Sequence, residues 1–293
     1  MKNILVFGAS GCVGKSLQKL SLHYDQYKWI FLSSKDGNLT QREVVIDLLT
    51  TYKPDIVINL AALVGRSLAD SCDNVKIFHV NNQINSNIIQ ECYILKVKKL
   101  ILMSSILVFS GFPGNTITIN DLTHIPNQYK HGYTFSKLSM HLEAIIYRQQ
   151  FGFNISIVIP SNIYGPYDNF VDTHFIAAII KKMYQAKINN QTELLIQIHS
   201  ETIKQFIYSL DVASFLVKEI ESPGSDFIIA PSPVSMDKII SIIQKYLEYS
   251  CKISYTGPLE SKREFVSAPF EFTDIEDGLK ETIRYYINEV LQH

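Results

Sequence analysis

Tyr133 and Lys137 stand four residues apart at the start of a stretch with helical periodicity. A phenol and an ammonium therefore share one helical face, where the lysine is expected to lower the phenol's pKa. The spacing alone is a weak signal. Tyr-x-x-x-Lys arises about once by chance in a chain with 16 tyrosines, and a second copy occurs at Tyr24 and Lys28. That copy straddles a helix-to-strand junction with no hydroxyl partner and reads as surface. Upstream of Tyr133, in contrast, Ser104 and Ser105 end an apolar run, at the carboxyl edge of the sheet where open α/β folds bind ligands. Ser105, Tyr133 and Lys137 together describe carbonyl reduction. A hydroxyl bonds the carbonyl oxygen, a phenol supplies the proton and a nicotinamide cofactor supplies hydride.

The run Gly8-Ala9-Ser10-Gly11-Cys12-Val13-Gly14 fits such a cofactor, because it joins the first strand to the first helix. Glycines allow a tight turn and a close approach of backbone N–H groups to a pyrophosphate, and the helix N-terminus adds partial positive charge. Gly8, Ser10, Gly11, Cys12, Val13 and Gly14 are the candidate cofactor contacts. At the end of the second strand an NAD-preferring site shows Asp or Glu, whereas this chain has Ser33, Ser34 and Lys35, with Asp36 one residue late. Two hydroxyls and an ammonium suit a 2′-phosphate, so NADP(H) is the expected cofactor.

Positioning these groups requires a sheet. Continuous apolar runs at 3–8, 28–33, 56–61, 100–104 and 155–159 read as strands covered on both faces. Helical periodicity fills 12–22, 42–52, 75–95 and 133–150 between them. The expectation is an α/β fold, a doubly wound parallel Rossmann sheet over 1–165. A smaller C-terminal substrate lobe follows over 166–293, with some segments returning to the sheet. A net charge of -1 leaves no basic field for nucleic acid or membrane, and 46% apolar residues with a mean hydropathy of +0.07 supply a core. Ile4 to Phe7 is too short an apolar run for a signal peptide, so a cytoplasmic location is expected. The scattered cysteines Cys12, Cys72, Cys92 and Cys251 read as reduced thiols, and no metal-ligand spacing occurs.

The chain resembles an extended short-chain dehydrogenase/reductase, and more closely the GDP-L-fucose synthase (GDP-4-keto-6-deoxymannose epimerase-reductase) family. The resemblance rests on segments 29–39, 59–65, 86–89, 132–137, 159–170 and 205–211. The most specific is Pro160-Ser161-Asn162-Ile163-Tyr164-Gly165-Pro166-Tyr167-Asp168-Asn169-Phe170. It implies Ser105, Tyr133 and Lys137 as the catalytic triad, with Lys137 also holding the nicotinamide ribose. It adds Leu60, Ala61, Ala62, Pro160, Asn162 and Ile163 on the cofactor side, Pro160 and Asn162 lining the nicotinamide and sugar. Substrate contacts are implied at Ser105, Leu107, Asn162, Tyr167, Asn169, His174, Lys182, Lys204 and Arg263, and the resemblance implies a homodimer.

Departures sharpen the expectation. The family's epimerisation resembles a two-base mechanism, with a Cys two residues after the catalytic Ser and a His in the Gly-Pro-His-Asp-Asn-Phe run. Here those positions are Leu107 and Tyr167. Leucine moves no proton, and a phenol with an ordinary pKa near ~10 is a poor base at neutral pH. The family's Trp-Gly-x-Gly-x-x-x-Arg segment is replaced by residues 197–204, which alters the wall near the nucleotide. The expected activity is NADPH-dependent C4 reduction of a nucleotide-activated, GDP-linked 4-keto-6-deoxyhexose or 4-keto-heptose without C3/C5 epimerisation. The alternatives are a complete epimerase-reductase and, from another class, a non-catalytic NADP-binding sensor. Plainer readings stand beside the substrate-side residues: His174 as a packed histidine, Lys182 as part of a solvated face with Lys181, Lys204 and Arg263 as surface charges. Asp47 and Asp211 read as caps or salt-bridge residues rather than bases.

Overall fold

The computed structural model describes residues 1–64, 73–123, 131–170 and 174–291. Cys72, and Gly65 at the end of segment 59–65, lie outside the described residues. The first half alternates β1 (Lys2–Phe7), α1 (Cys12–Ser21), β2 (Tyr27–Leu32), α2 (Arg42–Tyr52), β3 (Ile56–Asn59), α3 (Asn74–Ile94) and β4 (Lys99–Met103). After a short β5 (Thr116–Ile117) come α4 (His131–Phe151), β6 (Ile155–Pro160) and β7 (Asn162–Tyr164). The second half contains α5 (Phe175–Ile188), β8 (Glu193–Ile196), β9 (Ile203–Lys204), β10 (Phe206–Tyr208), α6 (Ser209–Lys218) and β11 (Asp226–Ile229). It ends with β12 (Val234–Ser235), α7 (Met236–Tyr246), β13 (Lys252–Tyr255), β14 (Glu264–Phe265) and α8 (Ile275–Tyr285).

Six strands form one sheet in the order β11-β6-β4-β3-β1-β2, and every pairing in it is parallel. Side chains alternate across each strand, so β1 gives Leu5 and Phe7 to one face and Ile4 and Val6 to the other. The first face is covered by α2, α3 and α4 through Val45, Leu49, Ile88 and Met140. The second is covered by α1 and α6 through Leu17, Val212 and Phe215. Both faces are dry, which is why these strands read as unbroken apolar runs. α6 and β11 come from the second half of the chain and complete the sheet. The remaining lobe has its own core, built on Ile180, Met183, Ile239, Ile243 and Leu279.

From β1 the chain winds outward to β2 and then returns to lay β3 on the other side of β1. The direction of winding therefore reverses between β1 and β3, and a crevice opens above their carboxyl ends, where open α/β sheets take ligands. Among the described residues, no helix is long and apolar enough to cross a membrane.

Candidate active site

The glycine turn sits in that crevice. Gly8 has φ +79, and a Cβ on it would fall 2.6 Å from the Ala61 amide nitrogen. A Cβ on Gly14 would fall 2.6 Å from the Ala9 backbone. Close approach of the turn to the segment after β3 thus demands Gly8, and close packing of the first helical turn on the turn's own backbone demands Gly14. Gly11 is different: it N-caps α1, its missing Cβ would meet only Gly8 O at 3.5 Å, and no side chain caps the helix. The first-turn amides, including those of Cys12 and Val13, have no intrahelical carbonyl to bond and are available to an anion. Ser10 is exposed beside them. This donor set fits a pyrophosphate.

The candidates after β3 are fixed by asparagines. Asn59 Oδ1 accepts from Ala61 N at 3.0 Å, and buried Asn81 brackets Leu63 through both its amide and its carbonyl. Leu60, Ala61 and Ala62 are thereby held as a wall against Gly8. At the end of β2, Asp36 folds back and accepts from Ser33 N at 2.7 Å and Ser33 Oγ at 2.9 Å. Those bonds hold the Asp36 carboxyl below the usual carboxylate range. Its acceptor atom is engaged by the turn, and Ser34 and Lys35 stand exposed next to it. Cys12 is a strut: its Sγ meets Pro166 O at 3.3 Å, and burial pushes the thiol up to about 12, so it is no nucleophile.

Two strands along from β1, β4 and α4 bring the chemical groups together. Lys137 is buried and its Nζ donates to Met103 O at 2.6 Å, tying α4 to the end of β4. Ser105 lies two residues beyond that anchor and caps a 3-10 turn, Ile106–Phe109, its Oγ accepting from Leu107 N at 3.3 Å. Tyr133 lies one helical turn before Lys137, with the ammonium 5.6 Å from the phenol ring's centre. Burial pushes the Tyr133 phenol up to about 12 and the Lys137 ammonium down to about 8. This corrects one sequence expectation. Lys137 was expected to lower the phenol's pKa, but it spends a proton on Met103 O, and desolvation dominates at Tyr133. The phenol is held protonated, which suits a proton donor.

A model of the NAD dependent epimerase/dehydratase family matches residues 4–230. The chain belongs to this family. It is 30% identical to the GDP-L-fucose synthase of Dictyostelium discoideum over 310 residues, covering 98% of this chain and 96% of that protein. The GDP-L-fucose synthetase of Naegleria fowleri bound to NADP superposes with a TM-score of 0.89 at 26% identity, over 99% of this chain and 94% of that one. The GDP-mannoheptose C4 reductase of Campylobacter jejuni with NADP bound shares the fold, with a TM-score of 0.86 at 18% identity over 98% of each chain. The Rossmann sheet and the extended short-chain dehydrogenase/reductase architecture expected from sequence are thus those of this family.

In this member of the family, the loop that follows β7 carries the substrate-side candidates. Asn162 pairs with Gln205: its backbone N and its Nδ2 both donate to Gln205 O, at 3.3 and 2.9 Å. Pro160 ends β6 and Ile163 lies in β7, so these cofactor-side candidates border the same strand end. Tyr167 has φ +70 and Phe170 φ +46, a left-handed backbone that costs energy in bulky residues and clusters at functional loops. The Tyr167 ring packs edge-on against Tyr285, 5.0 Å between centres, and Leu107 sits half-buried on the 3-10 turn. Asn169 is exposed and lends its N–H to Asp168 Oδ1 at 2.8 Å.

The three cationic candidates are each engaged elsewhere. Lys182 Nζ donates to Leu195 O at 2.6 Å on its own lobe, and Lys204 pairs with Glu260 at 3.0 Å. Arg263 donates to Phe109 O at 3.0 Å and to Phe112 O, clamping the lobe to the turn that Ser105 caps. Asp211 accepts from Thr273 N and Oγ1 at 2.9 and 2.7 Å, a tie between distant segments rather than the cap or salt bridge expected from sequence. Two residues of this region escaped the sequence reading. Asp168 accepts from His174 Nδ1 at 2.7 Å and raises the imidazole's pKa. Gln205 bonds Pro231 O, Phe265 O and Phe265 N and so holds the strand that receives Asn162. Both stand in segments that carry the resemblance, Asp168 beside Tyr167 in the most specific run and Gln205 at the head of 205–211, and those places are the signals that could have singled them out.

Proposed function

We propose that the protein is an NADPH-dependent C4 reductase of a GDP-linked 4-keto-6-deoxyhexose or 4-keto-heptose, acting without C3/C5 epimerisation. The observation that carries this reading is an asymmetry. Ser105, Tyr133 and Lys137 stand at one strand end with the phenol held protonated, while the two family base positions hold inert Leu107 and a Tyr167 packed on Tyr285. NADPH, when bound, supplies hydride to the carbonyl carbon. The Ser105 hydroxyl donates to the carbonyl oxygen and orients it, and the Tyr133 phenol gives the same oxygen its proton. Lys137 places a cation one helical turn from the phenol and stabilises the phenolate left behind. The turn at Gly8, Gly11 and Gly14 holds the pyrophosphate, and Ser34 with Lys35 holds the 2′-phosphate. The oligomer is a homodimer, the compartment the cytoplasm, and the chain divides into a cofactor domain to residue 165 and a substrate lobe after it.

A second reading, the complete epimerase-reductase, is favoured by the Asp168 and His174 pair, an imidazole with raised pKa beside the replaced histidine. One experiment separates the two. The 4-keto substrate is incubated with the enzyme and NADP+ in D2O, where hydride transfer is idle. The reductase reading expects no enzyme-dependent deuterium at C3 or C5; rapid incorporation, lost in His174→Gln, would establish the epimerase-reductase instead.

A further inference from the structure

Positions 133, 137 and 141 recur every four residues along α4, so their side chains stack on one face. Lys137 Nζ reaches Met103 O at 2.6 Å, and one turn further His141 Nε2 meets Ser104 Oγ at 2.7 Å. The two contacts land on the two residues that precede Ser105. Ser104 N donates to Val158 O at 2.8 Å, which makes it the last of these residues bonded into the sheet. At Ser105 the backbone runs extended (φ -157, ψ 147) and then enters the 3-10 turn. Ser104 is the fixed end from which Ser105 projects.

His141 is an unusual choice for this place. It is wholly buried, and its Nδ1 has no hydrogen-bond partner among the described residues. An aliphatic side chain would fill the same gap between helix and strand without an orphaned nitrogen, so fold stability alone does not account for an imidazole. Burial pushes its pKa down to about 3, helped by the charged groups acting on it, Lys137 on its own face and Arg148 further along the helix. The ring therefore stays uncharged through the working pH range, and its contact with Ser104 does not switch on and off.

We propose that His141 is a positioning residue: by holding the Ser104 hydroxyl, it fixes where Ser105 presents its own hydroxyl to the substrate's carbonyl oxygen. What Ser105 does there rests on the reductase reading; the contact itself does not. His141→Leu keeps the volume and removes the bond. It is expected to lower kcat about 10- to 100-fold while NADPH binding stays within about twofold, as misplacement of a reacting group does. His141→Gln, whose terminal amide can reach Ser104 Oγ, restores most of that loss, and Ser104→Ala reproduces it from the other side of the contact.

The discriminating background is Ser105→Ala. A residue that acts through Ser105 has nothing further to lose there, so adding His141→Leu leaves the residual rate unchanged; a second loss of similar size overturns the proposal. A turnover-independent reading comes from 15N-resolved NMR of the whole protein. The Ser105 amide resonance is expected to move in His141→Leu and Ser104→Ala and to return toward its wild-type position in His141→Gln. An unmoved Ser105 resonance, or a His141→Leu enzyme with wild-type kcat, also overturns it. If wild-type protein consumes no NADPH with any 4-keto nucleotide sugar, the reductase reading fails, and the Ser105 resonance still decides the positioning claim.

Discussion

The two edges of the central sheet treat charge in opposite ways. At the amino edge every ionic group named here has a counter-ion. Lys98 pairs with Asp55 at 2.8 Å, Arg148 with Asp226 at 2.8 Å, Lys2 with Glu221, and buried Lys99 lies 4.0 Å from buried Glu219. At the carboxyl edge Lys137 is equally buried, but it rests on the Met103 carbonyl and pairs with no carboxylate among the described residues. Close by, the first turn of α1 is left without a side-chain cap. A sheet that neutralises one edge and leaves positive potential at the other is prepared for an anionic ligand on that side only. The amino-edge charges are spent within the fold, whereas at the carboxyl edge the end of α1 stays uncapped and Lys137 meets no carboxylate among the described residues.

The strongest way to break this contrast is to remove the proton donor. Tyr133→Phe takes away one oxygen from a phenol held protonated, so kcat should fall about 100- to 10,000-fold while NADPH affinity and unfolding midpoint stay near wild type. Stopped-flow NADPH oxidation with fluorescence titration measures both. A variant that reduces the true substrate at near wild-type rate would show that the proton comes from elsewhere. The opposite edge should give the opposite result. Lys99→Met removes the buried cation 4.0 Å from buried Glu219 and leaves that carboxylate to neutral hydroxyls such as Ser156 Oγ at 3.4 Å and to the Lys218 charge, and should cost about 3 kcal/mol in urea unfolding while kcat/KM is unchanged. A Lys99→Met enzyme with intact stability and lost activity would reverse the assignment of the two edges.

That contrast also explains what could be read in the sequence. The carboxyl-edge groups sit in local patterns: a glycine run that joins a strand to a helix, or a Tyr and a Lys one helical turn apart. Such spacings translate directly into geometry, and the structure places them as expected. The amino-edge pairs join residues far apart in the chain, Lys2 with Glu221 or Arg148 with Asp226, and only the completed sheet order brings them together. The substrate-side cations failed for the same reason. Nothing near Lys204 announces Glu260, and nothing near Arg263 announces the Phe109 carbonyl, so their engagement emerged only with the tertiary structure. The Tyr133 phenol is a subtler case. Its position was legible, but the direction of its pKa was not, because desolvation depends on everything packed around it.

A smaller effect is expected at the outer end of the cofactor crevice. Lys35 is exposed, and with Asp36 folded onto Ser33 the proposed contact to the 2′-phosphate falls to Lys35. Lys35→Asp should therefore reduce the kcat/KM preference for NADPH over NADH by about tenfold or more, since a charge-assisted hydrogen bond becomes a repulsion. Equal efficiency of the wild-type enzyme with both cofactors would remove the role assigned to this turn.

The smallest expected effect lies where the contrast between the edges becomes conditional. Asp168 and His174 form the ion pair of the substrate-side loop, but only when the imidazole is protonated. The hydrogen bond from His174 Nδ1 to Asp168 raises the imidazole's pKa above its ordinary 6.5, so folding favours the charged ring. The sign follows. Stabilisation by the pair is fully present below the unfolded pKa and is lost as pH rises through the raised folded value. His174 is 43% exposed along its side chain, and solvent screening keeps the contribution under about 1 kcal/mol. His174→Gln should thus lower the urea midpoint measurably at pH 5.5 and by less at pH 9. A gap that stays constant or widens toward high pH would mean that the neutral ring, not the charged pair, holds this loop.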